Sequence, residues 1–211
     1  MADKPTIGLT GGIASGKSEV SRILQGAGVG IVDADRLARE VVAPGTDGLR
    51  EVVAAFGAGV LATDGSLDRE RLAAIVFGDE QARLRLQAIT HPRIGQLSAQ
   101  RLAELRASEA VYLVYDAPLL VEVGAHKGFA ALIVVAADEE AQVARLITRD
   151  GFSEPDARRR IAAQLPLARK IEVADYVIHN DASLSELQAR TLAVHRQILE
   201  RFGLAARTGQ E

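Results

Sequence analysis

The stretch Gly8–Val20, "GLTGGIASGKSEV", decides how this chain is read. Glycines at 8, 11, 12 and 16, interleaved with Ala14, Ser15 and Ser18, remove side-chain bulk directly behind a short apolar run. Gly11-Gly12-Ile13-Ala14-Ser15-Gly16-Lys17-Ser18 fits the pattern G-x-x-x-x-G-K-[ST], between an expected strand and an expected helix that begins near Lys17. Small residues let successive backbone N–H groups turn inward around a phosphate, and a helix N-terminus adds the positive end of its dipole. Lys17 reaches the β/γ-phosphates and the Ser18 hydroxyl suits Mg²⁺. The stretch therefore reads as a cradle for a nucleoside triphosphate tail. Alone it leaves kinase, GTPase, ATPase motor and transporter subunit open, because all of them use the same cradle.

Outward from this loop, short apolar runs alternate with helical stretches, the pattern of βαβ units in a parallel sheet covered by helices. Five strands are expected, at Thr6–Thr10, Gly30–Asp33, Val111–Asp116, Leu132–Ala136 and Tyr176–His179. The long gap between the second and third reads as a helical insertion, with helices at Asp47–Phe56, Asp68–Phe77, Glu80–Thr90 and Pro92–Ala107. Pro92 suits a first helical position, and Ile94, Leu97, Leu102 and Leu105 form one apolar stripe expected to be core. Between the fourth and fifth strands, Arg145 to Glu172 carries seven Lys/Arg against four Asp/Glu in a chain of net charge −3. Leu184–Phe202 reads as a terminal amphipathic helix, and "AARTGQE" after it as a frayed end. The expected organisation is one domain: a core (about 1–45, 110–144 and 173–211), the insertion (about 46–109) and a basic lid (about 145–172).

Composition narrows the class. At 211 residues the chain can bury a substantial core, and 48% apolar with 25% charged residues is ordinary for a globular protein. Net charge −3 gives no general attraction for nucleic acid or an anionic membrane, so any anion site is local. Zero Cys excludes disulfides, thiolate metal sites and a Cys nucleophile. The longest apolar run, Phe129–Ala137, is well short of the roughly 18 residues that cross a bilayer, and "MADKPTIGLT" has no leader pattern, so the cytoplasm is expected.

No Asp is followed by Gly at the third position, and Asn180, the only Asn, is not followed by Lys, which argues against a GTPase. The third strand ends in Asp116-Ala117-Pro118 rather than the Asp-Glu of motor ATPases. A small-molecule kinase needs an acceptor-orienting carboxylate, an acid for Mg²⁺ and mobile cations. Asp33 and Asp35, read as extended chain and therefore on one side, Asp116, and Arg145 with Arg149 are the candidates. For Asp35 an alternative is a helix N-cap before "RLAREVV"; for Asp116 it is a turn residue ahead of Pro118. His91, His126 and His179 show no metal spacing.

These blocks together resemble the dephospho-CoA kinase family: "IGLTGGIASGKSEV", "VDADRLAREVV" with Pro44-Gly45, "HPRI" (His91–Ile94), "DAPLLVE" (Asp116–Glu122), "RLITRDG" (Arg145–Gly151), "RIAAQ" (Arg160–Gln164) and "ADYVIHN" (Ala174–Asn180). They occur in family order over nearly the whole chain. The resemblance implies ATP-dependent phosphorylation of the ribose 3′-hydroxyl of dephospho-CoA, on a P-loop α/β core with a five-stranded parallel sheet, a helical substrate-binding insertion and a lid. It implies ATP and Mg²⁺, no nucleic acid or membrane partner, and a monomer or weak homo-oligomer. Residues Gly11, Gly12, Ile13, Ala14, Ser15, Gly16, Lys17, Ser18 and Glu19, with Arg149 and Asn180, would hold ATP; Asn180 would lie by the adenine. Asp35 would orient or deprotonate the hydroxyl, with Lys17 and Arg145 also catalytic. Thr10, Asp33, His91, Leu119 and Arg145 would meet the acceptor, and Ser18 and Asp116 the metal. Ala14 stands where Gly is common, which asks that position to avoid strongly positive φ. His179 replaces a frequent Asp. The readings kept beside this one are a kinase for another acceptor, such as a nucleoside monophosphate, and a nucleotide-dependent switch.

Overall fold

The computed structural model describes residues 4–205, so most of "AARTGQE" lies outside the described residues. The chain forms two compact units: one takes the chain up to Val32 and again from Leu105 onward, the other is Asp33–Glu104.

The first unit is built on a five-stranded parallel sheet, β1 (Thr6–Gly11), β2 (Gly30–Asp33), β3 (Leu113–Asp116), β4 (Ala131–Ala136) and β5 (Tyr176–His179), in the order β2-β3-β1-β4-β5. All five strands lie where the β-branched runs placed them. Every residue of β4 and all but the first of β1 are buried, as a sheet covered on both faces requires. β1 is central, and its last two residues pair with Val134 and Val135 of β4, so the chain leaves the sheet at a fixed height into the glycine-rich loop. Helices α1 (Lys17–Gly26) and α9 (Leu184–Arg201) cover one face. Val20, Ile23 and Leu24 of α1 meet Leu187, Val194, Ile198 and Leu199 of α9 over Ile7, Leu9, Ile133 and Ile178. Each such side chain contributes about 1.5–3 kcal/mol by burial. Ser183 and Glu186 form a reciprocal capping box that starts α9, so its apolar face is held in phase with the sheet.

The basic segment is α6 (Glu139–Asp150), α7 (Glu154–Ala162) and α8 (Leu167–Ile171). Gly151, at φ 71°, ends α6, and the Ser153 hydroxyl caps α7. Val143 and Leu146 of α6 pack on Ala157 of α7, with Phe152, Ile161 and, from the glycine-rich loop, Ile13 and Ala14 against them. The loop is thus part of the apolar cluster that joins α6 to α7.

The second unit holds α2 (Ala34–Glu40), α3 (Asp47–Phe56), α4 (Arg69–Val76) and most of α5 (Glu80–Ala107) around Val41, Val42, Val52, Val60 and Leu72. One expectation is corrected here. The break expected at Pro92 is absent, and one helix runs through the proline. Interior proline costs about 3 kcal/mol, but Leu86 and Ile89 before it and Ile94 and Leu97 after it pack on the same core, and about 1 kcal/mol from each partly buried contact outweighs the break. Arg93 Nη1 also donates to the Ile89 carbonyl at 2.6 Å, and Thr90 Oγ1 to that of Leu86 at 2.9 Å. Of the stripe at 94, 97, 102 and 105, Ile94 and Leu97 pack on this core, and all four side chains are partly buried. Among the described residues no helix is long and apolar enough to cross a membrane.

Candidate active site

The loop between β1 and α1 is shaped from behind. Three consecutive carbonyls are held by side chains of other elements: Ile13 O accepts from Gln142 Nε2 (2.6 Å), Ala14 O from Arg145 Nη1 (3.0 Å) and Ser15 O from Asn180 Nδ2 (2.7 Å). A trans peptide points its N–H opposite its C=O, so the amides of Ala14, Ser15 and Gly16 turn away from those partners. Ser15 N closes a turn on Gly12 O at 3.1 Å. The amides of Lys17 and Ser18 open α1, where no intrahelical acceptor exists for them.

The glycines are there for space. A Cβ on Gly11 would lie 2.7 Å from the Val135 carbonyl, one on Gly12 2.6 Å from Gln142 Nε2, and one on Gly16 2.0 Å from Asn180 Nδ2. Gly16 also has φ 92°, in the left-handed region. Ala14 corrects an expectation, since its φ is 55°. The left-handed conformation costs a non-glycine residue roughly 1–2 kcal/mol; packing of Ala14 against the α6–α7 cluster and the Arg145 bond to its carbonyl offset that cost.

At the carboxyl end of β3, next to the loop, Asp116 is 3% exposed. Lys17 Nζ forms an ion pair with its Oδ1, and Ser21 Oγ donates to Oδ2 at 2.6 Å. Lys17 and Ser21 are four apart on α1, so one helical face presents an ammonium and a hydroxyl to the two carboxylate oxygens. Past Asp116 the chain is anchored at Pro118, whose carbonyl accepts from Thr10 Oγ1 at 2.9 Å and from the wholly buried Lys170 at 3.4 Å. Lys170 Nζ lies 2.6 Å from Glu122 Oε1, an ion pair by distance without hydrogen-bond alignment. A cavity of about 410 Å³ opens beside Gly12, bordered by Asp138, Gln142, Ile161, Gln164 and Lys170.

The first unit thus gathers Thr10, the loop from Gly11 to Ser18, Asp116, Arg145 and Asn180. Thr10 is fully buried and spends its hydroxyl on Pro118; Leu119 is 47% exposed. Arg145, at 2.8 Å from the Asn180 carbonyl, spends its second nitrogen there. Arg149 is exposed and paired, through two 2.8 Å bonds, with Asp150, which raises its own pKa and lowers that of Asp150. Glu19 is lowered by its bond from Arg22. Ile13 N donates to Gln164 Oε1 at 2.7 Å.

In the second unit, Asp33 is extended chain as expected, but Asp35 is helical, so the two acids are not alternate positions of one extended run. Asp33 is the N-cap of α2, its Oδ1 accepting from Asp35 N (2.9 Å) and Arg36 N (3.1 Å), and Asp35 sits exposed in the first turn. The cap weighed as an alternative for Asp35 falls two residues earlier, because Asp33 takes the extended φ, ψ of −93°, 110° that a cap needs. His91 is exposed on α5. Among the described residues no group of three or more His, Asp or Glu is placed to hold a metal.

Gln142, Ser21 and Lys170 were not singled out by sequence reasoning, and Gln164, the last residue of "RIAAQ", was given no role. A signal existed for two of them: Ser21 falls one turn beyond Lys17, and Gln142 lies three residues before Arg145 on the same face of α6.

A parallel sheet in the order 2-3-1-4-5, a G-x-x-x-x-G-K-S loop after its central strand and a buried acid after the adjacent one define a P-loop kinase fold. The family model for dephospho-CoA kinase matches residues 5–186. A dephospho-CoA kinase of Geobacter sulfurreducens is 52% identical over 184 residues, 87% of this chain and 93% of that protein. Among solved structures, TT1252 from Thermus thermophilus superposes with a TM-score of 0.81 at 32% identity, over 93% of this chain and 98% of that one. A dephospho-CoA kinase from Campylobacter jejuni gives 0.61 at 25% identity, over 92% and 97%. The chain belongs to the dephospho-CoA kinase family, and it is a phosphotransferase.

Proposed function

We infer that this chain transfers the γ-phosphoryl group of ATP to the ribose 3′-hydroxyl of dephospho-CoA, giving coenzyme A and ADP. The observation that carries the reading is the loop after β1, with three carbonyls pinned outward and Lys17 beside a buried Asp116, in a chain whose family match spans both units.

The loop fits a polyphosphate. Its turned-out amides and the first turn of α1 present donors to phosphate oxygens, and Lys17 exchanges Asp116 for a phosphate oxygen or is shared between them. The donors Ser18 Oγ and Asp116 are hard oxygens, suited to Mg²⁺ that keeps several waters and is otherwise held by phosphates. The metal would supply charge neutralisation at the β- and γ-oxygens.

Asp35 orients the 3′-hydroxyl, and Asp33 fixes Asp35 by capping the helix that carries it. The hydroxyl oxygen forms the new bond to γ-phosphorus as the bond to the β,γ-bridging oxygen breaks in line with it, and the proton leaves to Asp35 or water. A loose transition state asks little of the base, so positioning is the larger effect. Arg149 meets the phosphates by leaving Asp150. Arg145 serves through the loop, holding Ala14 and the segment at Asn180. Thr10 and Lys170 hold the Pro118 carbonyl, and with it the segment carrying Leu119 to the acceptor. His91 belongs to the acceptor-binding side in this reading. Within the lid (about 145–172) the α7–α8 segment is the part that closes, and its closure excludes water that would otherwise hydrolyse ATP.

A coupled ADP-release assay with dephospho-CoA, AMP, CMP or no acceptor tests the reading. Turnover with dephospho-CoA alone is expected. Equal turnover with AMP or CMP, or acceptor-independent hydrolysis of the same rate, would overturn it.

A further inference from the structure

Ile13 is the one residue of the loop whose backbone is held on both sides by glutamines. Its N–H donates to Gln164 Oε1 at 2.7 Å, and its C=O accepts from Gln142 Nε2 at 2.6 Å. The chemistry fixes both amide orientations, since an N–H accepts nothing and a carbonyl donates nothing. Gln142 is buried at 7% exposure on α6, and Gln164 lies between α7 and α8. The Ile13 side chain packs in the α6–α7 cluster. Gly12, immediately before, has no room for a Cβ because Gln142 Nε2 occupies that space.

We propose that Gln142 and Gln164 are a pair of positioning residues that clamp the Ile13 peptide units and so set the inward face of the phosphate loop, making the grip on ATP depend on the placement of the α7–α8 segment. This rests on the reading that the loop binds ATP. Ile13 N is spent on Gln164, so the resemblance's assignment of Ile13 to ATP is recast: Ile13 acts through its orientation, and the amides of Ala14, Gly16, Lys17 and Ser18 face the phosphates, that of Ser15 being spent on Gly12 O. A glutamine is suited to the task because it is uncharged. A carboxylate at either place would repel the polyphosphate, and a lysine at 164 would have no acceptor for the Ile13 N–H. Gln142 comes from the helix that also carries Arg145, so two adjacent carbonyls are set by one rigid element. Gln164 comes from the segment proposed to move.

The test is calorimetric titration of Mg·ATP and, separately, of dephospho-CoA into the full-length protein, Gln142→Met, Gln164→Met and the double variant, with steady-state kinetics on each. Loss of one buried hydrogen bond of this kind predicts about tenfold weaker Mg·ATP binding for each single variant. Dephospho-CoA affinity stays within about twofold and KM for ATP rises more than kcat falls. The double variant loses less than the product of the two singles, because both hold the same residue. Mg·ATP affinity within about twofold of the unaltered protein in Gln142→Met, or equal losses for both ligands, overturns the proposal. Should Gln142→Met not fold, Gln142→Asn, whose amide is drawn back by one methylene, is measured in its place. Failure of the unaltered protein to bind Mg·ATP would instead remove the reading on which the proposal rests.

Discussion

The ammonium of Lys17 is ion-paired with the carboxylate of Asp116, one side chain partly exposed and the other nearly sealed. Removing only the lysine takes from a buried carboxylate the ammonium paired with its Oδ1 and leaves Ser21 among its partners. Lys17→Met is therefore expected to cost about 3 kcal/mol of stability as well as ATP use. Adding Asp116→Asn to Lys17→Met should recover most of the stability and none of the activity. Denaturant melts read the first effect and ADP release the second; a double variant no more stable than Lys17→Met would contradict this account.

The cap geometry separates the two acids of "DAD". Asn is as good an N-cap as Asp, so Asp33→Asn is expected to leave stability within about 0.5 kcal/mol. Asp35→Asn should keep ATP affinity within a few-fold while turnover drops by orders of magnitude, since the group proposed to hold the acceptor is altered. Near-normal turnover in Asp35→Asn would take that residue out of the mechanism.

Gly16 faces two constraints that a pair of substitutions can tell apart. Gly16→Ala puts a Cβ 2.0 Å from Asn180 Nδ2 and at a φ of 92°. Asn180→Ala removes the first obstacle but leaves the second, and also frees the Ser15 carbonyl. The combination should regain only part of the Mg·ATP affinity that Gly16→Ala loses. Full recovery would mean that backbone conformation at Gly16 is immaterial.

Under α9, Tyr112 Oη and His195 Nδ1 lie 3.0 Å apart in a buried site. Burial, followed by the charge of Arg196, pushes the His195 imidazolium below its usual range, and burial pushes the Tyr112 phenol up. Because the folded pKa of His195 is the lower one, the unfolded chain takes up the proton first as pH falls below about 6.5, and stability declines from there. The thermal midpoint should drop between pH 7.5 and 5.5, with a shallower slope in His195→Gln. Identical slopes would assign the drop to other groups.

Much of this architecture was legible because its signals are local. Runs such as "LIVVA" offer a buried strand and little else, and the loop pattern announces its own place between strand and helix. Pro92 misled because a proline is a local cost, whereas the core contacts of Leu86, Ile89, Ile94 and Leu97 that override it are tertiary. The positive φ of Ala14 was hidden for the same reason: its compensation comes from α6 and α7. Gln142 on α6 and Gln164 between α7 and α8 look like ordinary solvent-facing polar residues until folding brings both to Ile13. The cap at Asp33 rather than Asp35 turned on a single pair of dihedral angles.

The position of β1 in the sheet has a consequence for how the molecule is made. Its partners, Leu113–Asp116 on one side and Ala131–Val135 on the other, are synthesised more than a hundred residues after Thr6. Asp33–Glu104, by contrast, is contiguous in the chain and emerges whole before either partner exists. On a ribosome the helical unit has everything it needs to collapse first, while the nascent phosphate loop waits on an unpaired strand whose edges are open to other chains. Slow elongation through residues 105–136 lengthens that exposure.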